Sequence, residues 1–574
     1  MAKDAAVSRL NTLLWKSSFA ICFALVGLLP LSASAQKAKI TATSSQLSAN
    51  YQNQVGQINQ LMEQLWKEYN LTPSPEATEA EWCRRLYLDL IGRIPSVEEL
   101  EEFLGDKAQD KRAKLVDRLM NDDDYIEEFA RNWTTIWTNL LIGRTGGNVR
   151  NSMISREGMQ KYLRDSFARG KPYDKMAYEL ITATGTARPG SEKFNGAVNF
   201  LIDKVNEENG AQATAKTSQI FLGLQVQCTQ CHNHPFNDWK QQKYWEMNAF
   251  FRQTRALRIG QSDNGLIGEL VDQDFAGENN NPEEAALFYE LRNGEVKVAY
   301  PTFVDGQTIS KSGYLDESNR RKQLGKMIVE SPYFDQAIVN RVWAHFLGYG
   351  FTKPIDDLGD HNRSSHSDLQ DYLAKEFKNY RYDMRELITW IVLSKPYSLS
   401  SRMTSNNKKD DPLLGESPRF SHFYLRQMRA EELYESLIVA TRAGSNQGNY
   451  AQQERQKNMW LQQFSQAFGT DEGDETTTFN GTIPQTLMMF NGDLIQNATS
   501  TSKGSLLDNL IANQKMSLSK KVDRLFKAGL SRKATRSEQK LAVDLIRARG
   551  GSVREGLRDL WWVVLNSNEF IFNH

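Results

Sequence analysis

The sequence predicts a mainly α-helical protein: two helical domains joined by a short β-containing segment. Three observations predict it. Apolar residues recur at helical spacing from about residue 76 to 250, and again from about 317 to the end. Helix caps and glycine or proline breaks punctuate both stretches. Period-two alternation around a tight-turn pair is concentrated near residues 288–300. At 574 residues, 40% of them hydrophobic and 24% charged, the chain has the length of about two to four domains and the material for a large core.

The elements follow in order. Lys3, Arg9 and Lys16 precede an apolar run from Phe19 to Leu31, and Ala33-Ser-Ala35 offers a small-residue cleavage site. That order predicts a secretory signal peptide over 1–35, with an uncleaved anchor as the alternative. The run is shorter than the ~20 residues a spanning helix needs, and no span is expected in the mature chain. A polar, flexible leader is expected over 36–75.

A helical domain is expected over 76–255. Within it, Ser96-Val-Glu-Glu99 has the form of a capping box. Val97, Leu100, Phe103 and Leu104 then follow on one helical face. Further helices are predicted over Arg112–Met120, Tyr125–Leu141, Met176–Thr182 and Ala211–Leu224. A connector over 256–316 holds the hairpin, with Asn293-Gly294 as its two-residue turn. The second helical domain occupies 317–574, interrupted by polar tracts at 403–418 and 443–456 and an acidic loop at Asp471–Asn480.

Charge excludes one class of partner. Lys and Arg number 70 and so do Asp and Glu; removing 1–35 leaves a net charge of −2. A nucleic-acid footprint is not indicated. Loss of Cys22 with the signal segment leaves three cysteines, too few for a disulfide scaffold. Cys83 lies in an apolar helical stretch and reads as a buried thiol.

The other two cysteines carry the chemistry. Cys228-Thr-Gln-Cys231-His232 is the attachment signature of a c-type haem. Two thiols form thioethers with the porphyrin vinyl groups, and the adjoining His232 is the proximal iron ligand. Phe236 and Trp239, with Tyr244, Trp245, Phe250 and Phe251, are candidates to line the apolar pocket that a porphyrin needs. Two other readings stay open. With His234, the group is a dense Cys-Cys-His-His set that could hold zinc, and the two cysteines alone could form a disulfide. His234 is otherwise a hydrogen-bonding neighbour of the haem.

The distal side of the iron decides between electron transfer and chemistry on a substrate. His345 is the first candidate for a distal ligand and His366 the second. His574 and Met247 are weaker options. Asp356-Asp357 invites comparison with a glycosidase pair, but adjacency in sequence does not establish the separation between carboxylates that such enzymes need. Ion pairs or loop charges are the simpler reading, there and for Arg426, Arg429, Glu431 and Glu432.

Long strings in both halves carry a resemblance. The first half has Leu86-Tyr-Leu-Asp-Leu-Ile-Gly-Arg-Ile-Pro95 and Thr217-Ser-Gln-Ile-Phe-Leu-Gly-Leu-Gln-Val-Gln-Cys228 running on to Trp239. The second has Val339-Asn-Arg-Val-Trp-Ala-His345-Phe-Leu-Gly348, Ser365-His366 and Leu565-Asn-Ser-Asn-Glu-Phe-Ile-Phe-Asn-His574. The chain resembles a paired-domain family of planctomycete and verrucomicrobial envelopes, in which a planctomycete cytochrome-c-like (PSCyt-type) domain precedes a PSD-type domain. The resemblance implies an exported protein with a haem-type motif, in bacteria that degrade polysaccharides. Compared with longer relatives, an extra N-terminal cytochrome module and a large β insert are missing, so one haem is expected.

The expected function is therefore that of an exported, periplasmic c-type haem protein passing electrons to a redox partner in the cell envelope. The alternatives are a haem-dependent oxidoreductase in polysaccharide breakdown and a structural or binding protein with a zinc site.

Overall fold

The computed structural model describes residues 51–147, 151–235, 239–262, 265–442, most of 452–461, 493–501 and 503–574. The predicted signal peptide, Phe236, the acidic loop at Asp471–Asn480 and most of the 443–456 tract lie outside the described residues. Helix accounts for 55% of the structure and strand for 8%, so the fold is mainly α. Among the described residues, no helix is long and apolar enough to cross a membrane.

The flexible leader expected over 36–75 contains a helix, α1 (Tyr51–Glu68), that buries Gln54, Ile58, Met62 and Trp66. Their spacing of four puts one side chain per turn on the same face. The intervening polar residues concealed that stripe. Helix α2 (Glu79–Ile91) is capped by Thr78 and ends at Gly92, whose φ of 74° is left-handed. Every residue from Trp82 to Ile91 is buried, including Arg84, Arg85 and Asp89. The Ser96–Glu99 capping box opens α3 (Val97–Gly105) as the sequence predicts. Helices α4 (Lys111–Asn121), α5 (Ile126–Ile142), α6 (Arg156–Ala168) and α7 (Tyr173–Thr182) follow. Phe129, Trp133 and Trp137 lie on the inner face of α5.

Strand β1 (Gly185–Thr186) precedes α8 (Ala211–Leu222) and α9 (Gln241–Asn248). Beyond them lies an antiparallel pair the sequence did not reveal, β2 (Thr254–Ser262) and β3 (Gly265–Asp272). β1 adds to β3 to give the order β1-β3-β2. The expected hairpin is present as β4 (Leu287–Glu290) and β5 (Val296–Ala299). Its turn is one residue longer than expected: Leu291 and Glu295 close a three-residue loop, with Gly294 at a φ of 83°.

Helices α10 (Arg320–Glu330), α11 (Pro332–Leu347), α12 (Ser367–Asn379), α13 (Met384–Val392), α14 (Lys395–Ser398) and α15 (Ala430–Thr441) build the next part. Helices Leu518–Leu530, Arg536–Ala548 and Val553–Leu565 lie near the end of the chain. One hydrophobic core draws on residues from Ile58 to Leu270 and from Phe303 to Tyr424. A second joins Leu88, Ile94 and Val97 to side chains from Met428 to Ile571.

Buried arginines tie these cores together through main-chain carbonyls. Arg84 donates to the carbonyls of Gly529 (2.8 Å) and Phe570 (2.9 Å). Its neighbour Arg85 donates to those of Tyr397, Leu399 and His574, with its guanidinium over the Phe423 ring at 3.5 Å. Arg320 and Arg321 repeat the device. Arg320 donates to the carbonyls of Ala249, Ala285 and Lys311; Arg321 pairs with Asp272 and donates to the carbonyls of Ile181 and Ala183. A guanidinium has five donors, so one buried side chain can serve several carbonyls from distant segments.

Candidate functional site around the CxxCH turn

Helix α8 stops at Gly223, whose φ of 64° is left-handed. A Cβ there would also lie 2.9 Å from Leu358. The chain then makes a 3₁₀ turn over Gln227–Gln230. With three residues per turn, positions i and i+3 eclipse, which places Cys228 and Cys231 on one side. Both are exposed and neither is in a disulfide. Between them Thr229 is fully buried, and its hydroxyl donates to the Val226 carbonyl at 2.6 Å. The turn is thus anchored by its middle while presenting its thiols to solvent.

The rest of the anchoring comes from α9. The Gln241 amide and the Trp245 indole both donate to the Gln230 carbonyl at 3.1 Å. The Gln241 amide also reaches the Glu290 carbonyl in β4 (2.9 Å). Asn233 Oδ1 accepts from the Gln241 N–H (3.0 Å), and the His234 N–H donates to the Trp239 carbonyl (2.8 Å).

His232 is partly exposed, and its Nδ1 lies 2.7 Å from the Asn233 carbonyl. A carbonyl only accepts, so that nitrogen carries the proton and the lone pair is left on Nε2. This is the tautomer that a metal-ligating histidine needs. Two exposed, unlinked thiols followed by a histidine in this state fit covalent haem attachment. Among the described residues, no group of three or more His, Cys, Asp and Glu side chains is arranged to hold a metal ion by itself.

Of the aromatic candidates, Trp239 and Trp245 are half-buried beside the turn, and Lys243 Nζ lies 4.9 Å from the Trp239 ring. Tyr244, Phe250 and Phe251 are fully committed to the core, as is Met247.

The histidines of the second half have distinct surroundings. His345 packs against Trp133 (5.1 Å between centroids) and Phe346, and its Nε2 faces the Asp89 carbonyl at 3.2 Å. Burial, reinforced by Arg429, pushes its pKa down to about 3. His366 sits between Phe351 and Phe420, with Nδ1 at 2.8 Å from the Ser365 hydroxyl, beside a groove shared with Leu61 and Leu65 of α1. Burial lowers its pKa to about 3 as well. His574 is held at Arg85 by its carbonyl. The contacts of these three are with other parts of the fold than the CxxCH turn.

The structure brings to His234, two residues beyond His232, a histidine that the sequence reading passed over. The loop after α11 lies against the segment leading to Cys228. Asp356 is buried and accepts from Gln219 (2.5 Å) and Gln225 (2.8 Å). The Leu358 N–H donates to the Gly223 carbonyl at 2.7 Å. This packing sets His361 6.1 Å from His234, centroid to centroid. His361 Nε2 is 2.9 Å from Asp357 Oδ1. Asp356 and Asp357 are therefore engaged separately, one by two amides and the other by an imidazole. The signal that could have found His361 is the Asp357-x-x-x-His361 spacing in the loop between α11 and α12.

The PSCyt2 family (Protein of unknown function, DUF1549) matches residues 57–256, and the PSD1 family (Protein of unknown function, DUF1553) matches residues 320–546. No curated protein and no solved structure matches the chain. The two family matches occur in the order the sequence strings imply and together cover most of the chain. The chain belongs to the paired-domain family in which a PSCyt2 domain is followed by a PSD1 domain.

Proposed function

We propose that this chain is a c-type haem protein of the cell envelope that carries electrons to or from a partner protein. The observation that supports this best is the state of the CxxCH turn: two exposed, unlinked thiols on one side of a 3₁₀ turn, followed by an imidazole whose Nδ1–H is taken by the Asn233 carbonyl. Cys228 and Cys231 would hold the macrocycle through thioethers, and His232 Nε2 would ligate the iron. When bound, the haem supplies a one-electron couple whose potential follows its axial ligands and exposure.

The residues around the turn fix its orientation. Thr229, Gln241 and Trp245 hold the backbone, so the thiols and imidazole keep their relative placement. The surface location of the thiols suits a carrier, which has to exchange electrons with another protein. Attachment of c-type haem outside the cytoplasmic membrane agrees with the signal segment read from the sequence.

The test is expression with a c-type haem maturation system, followed by denaturing electrophoresis with haem staining and a pyridine haemochrome spectrum. One covalently bound haem per chain is expected. Protein that emerges colourless from a competent host would overturn the proposal. Peroxide-dependent turnover by the loaded protein would favour an oxidoreductase over a carrier.

A further inference from the structure

The hairpin β4–β5 turns one face inward and the other outward. Its register sets Leu287 opposite Ala299 and Phe288 opposite Val298. Side chains alternate along a strand. Leu287, Tyr289 and Ala299 are therefore buried together, in a small core shared with Ala249. The outer face carries Phe288 and Val298 as a cross-strand pair, and Val296 opposite Glu290. Phe288, Val298 and Val296 are 38%, 45% and 62% exposed. Apolar side chains grouped on one exposed face mark a contact surface, which singly scattered ones do not.

This hairpin adjoins the CxxCH turn, and two side chains of α9 join them. The Gln241 amide donates both to the Gln230 carbonyl, between the two cysteines, and to the Glu290 carbonyl in β4, at 3.1 and 2.9 Å. The Trp245 indole donates to the same Gln230 carbonyl, and its ring stacks on Tyr289 with 6.0 Å between centroids. Charge around the hairpin is one-sided. Between Asp274 and Glu317 the chain has nine carboxylates, all on exposed residues, against Arg292, Lys297 and Lys311. That is a balance of −6 in a chain whose total is zero. One of these carboxylates, Glu278, touches β4 itself, accepting from the Phe288 N–H at 2.7 Å. Glu290 shares the outer face with the apolar residues.

An apolar centre among carboxylates selects its occupant by charge. A symmetric contact with a second copy of this chain would set the same carboxylates against each other. A polyanion or an anionic membrane would be repelled for the same reason. The complement is a protein with an apolar contact patch rimmed by lysine or arginine. We propose, resting on the haem reading above, that the outer face of the β4–β5 hairpin is the docking surface for such a basic electron carrier. The step it serves is the passage of one electron from the reduced to the oxidised haem protein, with no bond made or broken. The carboxylates would steer the encounter, and Phe288, Val296 and Val298 would form the contact.

The experiment mixes reduced, haem-loaded protein in stopped flow with a ferric, lysine-rich cytochrome c, and with the same carrier after succinylation of its lysines. Oxidation by the native carrier should slow as ionic strength rises. At low salt the succinylated carrier should react at least about tenfold more slowly. The double variant Phe288→Ser, Val298→Ser should slow the native reaction at unchanged midpoint potential and circular dichroism, which separates lost docking from a damaged haem site or fold. Carbodiimide cross-linking, on loaded and haem-free protein alike, should join carrier lysines to carboxylates between Asp274 and Glu317. Rates indifferent to salt and to the double variant, or cross-links confined to other carboxylates, would overturn the docking assignment while leaving the haem in place. So would a dimer of this chain that the double variant abolishes. Absence of covalent haem from wild type would overturn the functional reading itself, and electron transfer at this face with it.

Discussion

Two histidines of this protein make nearly the same hydrogen bond with opposite results. His232 in the CxxCH turn and His345 in α11 each point one ring nitrogen at a backbone carbonyl, at 2.7 and 3.2 Å. Around His345 the remaining space is filled by Trp133 and Phe346, and the carbonyl belongs to Asp89, itself a hub. The Asp89 carboxylate takes the Arg426 guanidinium, the Tyr397 hydroxyl (2.7 Å) and the Asn573 amide (2.7 Å). Arg429 and Glu432 pair nearby at 2.6 Å, and Arg144 pairs with Glu431 at 2.6 Å. Around His232 there are two exposed thiols. The contrast teaches that charge and imidazole at the Asp89 junction are spent on joining distant segments, whereas at the turn the scaffold is satisfied by Thr229, Gln241 and Trp245 and the reactive side chains are left over.

The contrast breaks most readily at Asp89. Asp89→Ala strands Arg426, Tyr397 and Asn573 in a fully buried site. It should cost about 3–5 kcal/mol in urea or thermal unfolding. A loss below about 1 kcal/mol would show that the junction does not hold the two cores together.

Acid should act on the interior next. His345 and His366 are held neutral by burial, with pKa values near 3. Between neutral pH and about 4.5 the unfolded chain takes up a proton at each, and the folded chain does not. Stability therefore falls as pH falls, by about 2–3 kcal/mol per histidine. His366→Phe, placed between Phe351 and Phe420, should remove one such contribution and flatten the pH dependence of the melting temperature. An unchanged slope would contradict the neutral state assigned to His366.

Gly223→Ala probes the link between the regions. It forces a side chain into a left-handed position and toward Leu358. A cost of about 1–2 kcal/mol is expected, with loosening of the 356–362 loop visible as faster hydrogen exchange there. Equal exchange in both proteins would show that the loop does not depend on this contact.

The smallest effect on stability belongs to the turn. The double variant Cys228→Ser, Cys231→Ser should leave unfolding within about 0.5 kcal/mol of wild type, as surface changes usually do. A large destabilisation of the haem-free protein would mean that the thiols serve the fold.

Much of the architecture was legible because it follows from local periodicity and capping. Ser96 and Glu99 make the capping box their spacing implies, and the apolar stripe Phe129, Trp133, Trp137 faces inward. The hairpin was legible from alternation about Asn293-Gly294, although its loop took the three-residue form. Helix α1 was missed because the many Gln, Asn and Glu residues outweighed Val55, Ile58, Leu61, Met62, Leu65 and Trp66, which do recur at helical spacing. The pair β2 and β3 was missed because Leu257 and Ile259 remain exposed at 42% and 50%, which weakens the inside-outside alternation of that hairpin.

The site divides in the same way. Cys228, Cys231 and His232 lie within five residues, so the haem-type motif is legible from spacing alone. His361 comes within 6.1 Å of His234, two residues beyond His232, only through tertiary contacts: Asn340 of α11 accepts from the Phe351 N–H and donates to the Ile355 carbonyl, and Asp356 takes the Gln219 and Gln225 amides. No local pattern encodes a meeting of residues more than a hundred positions apart. The buried Arg84 and Arg85 were equally hidden, since two adjacent charges in a helix ordinarily mark a solvated face.

The most direct measurement is the intact mass of the protein purified from a host competent in c-type haem maturation, beside the Cys228→Ser, Cys231→Ser variant. Attachment at this turn predicts a wild-type mass greater than that of the variant by one haem. A wild-type chain carrying no added mass, or a variant that still carries haem covalently, would contradict it.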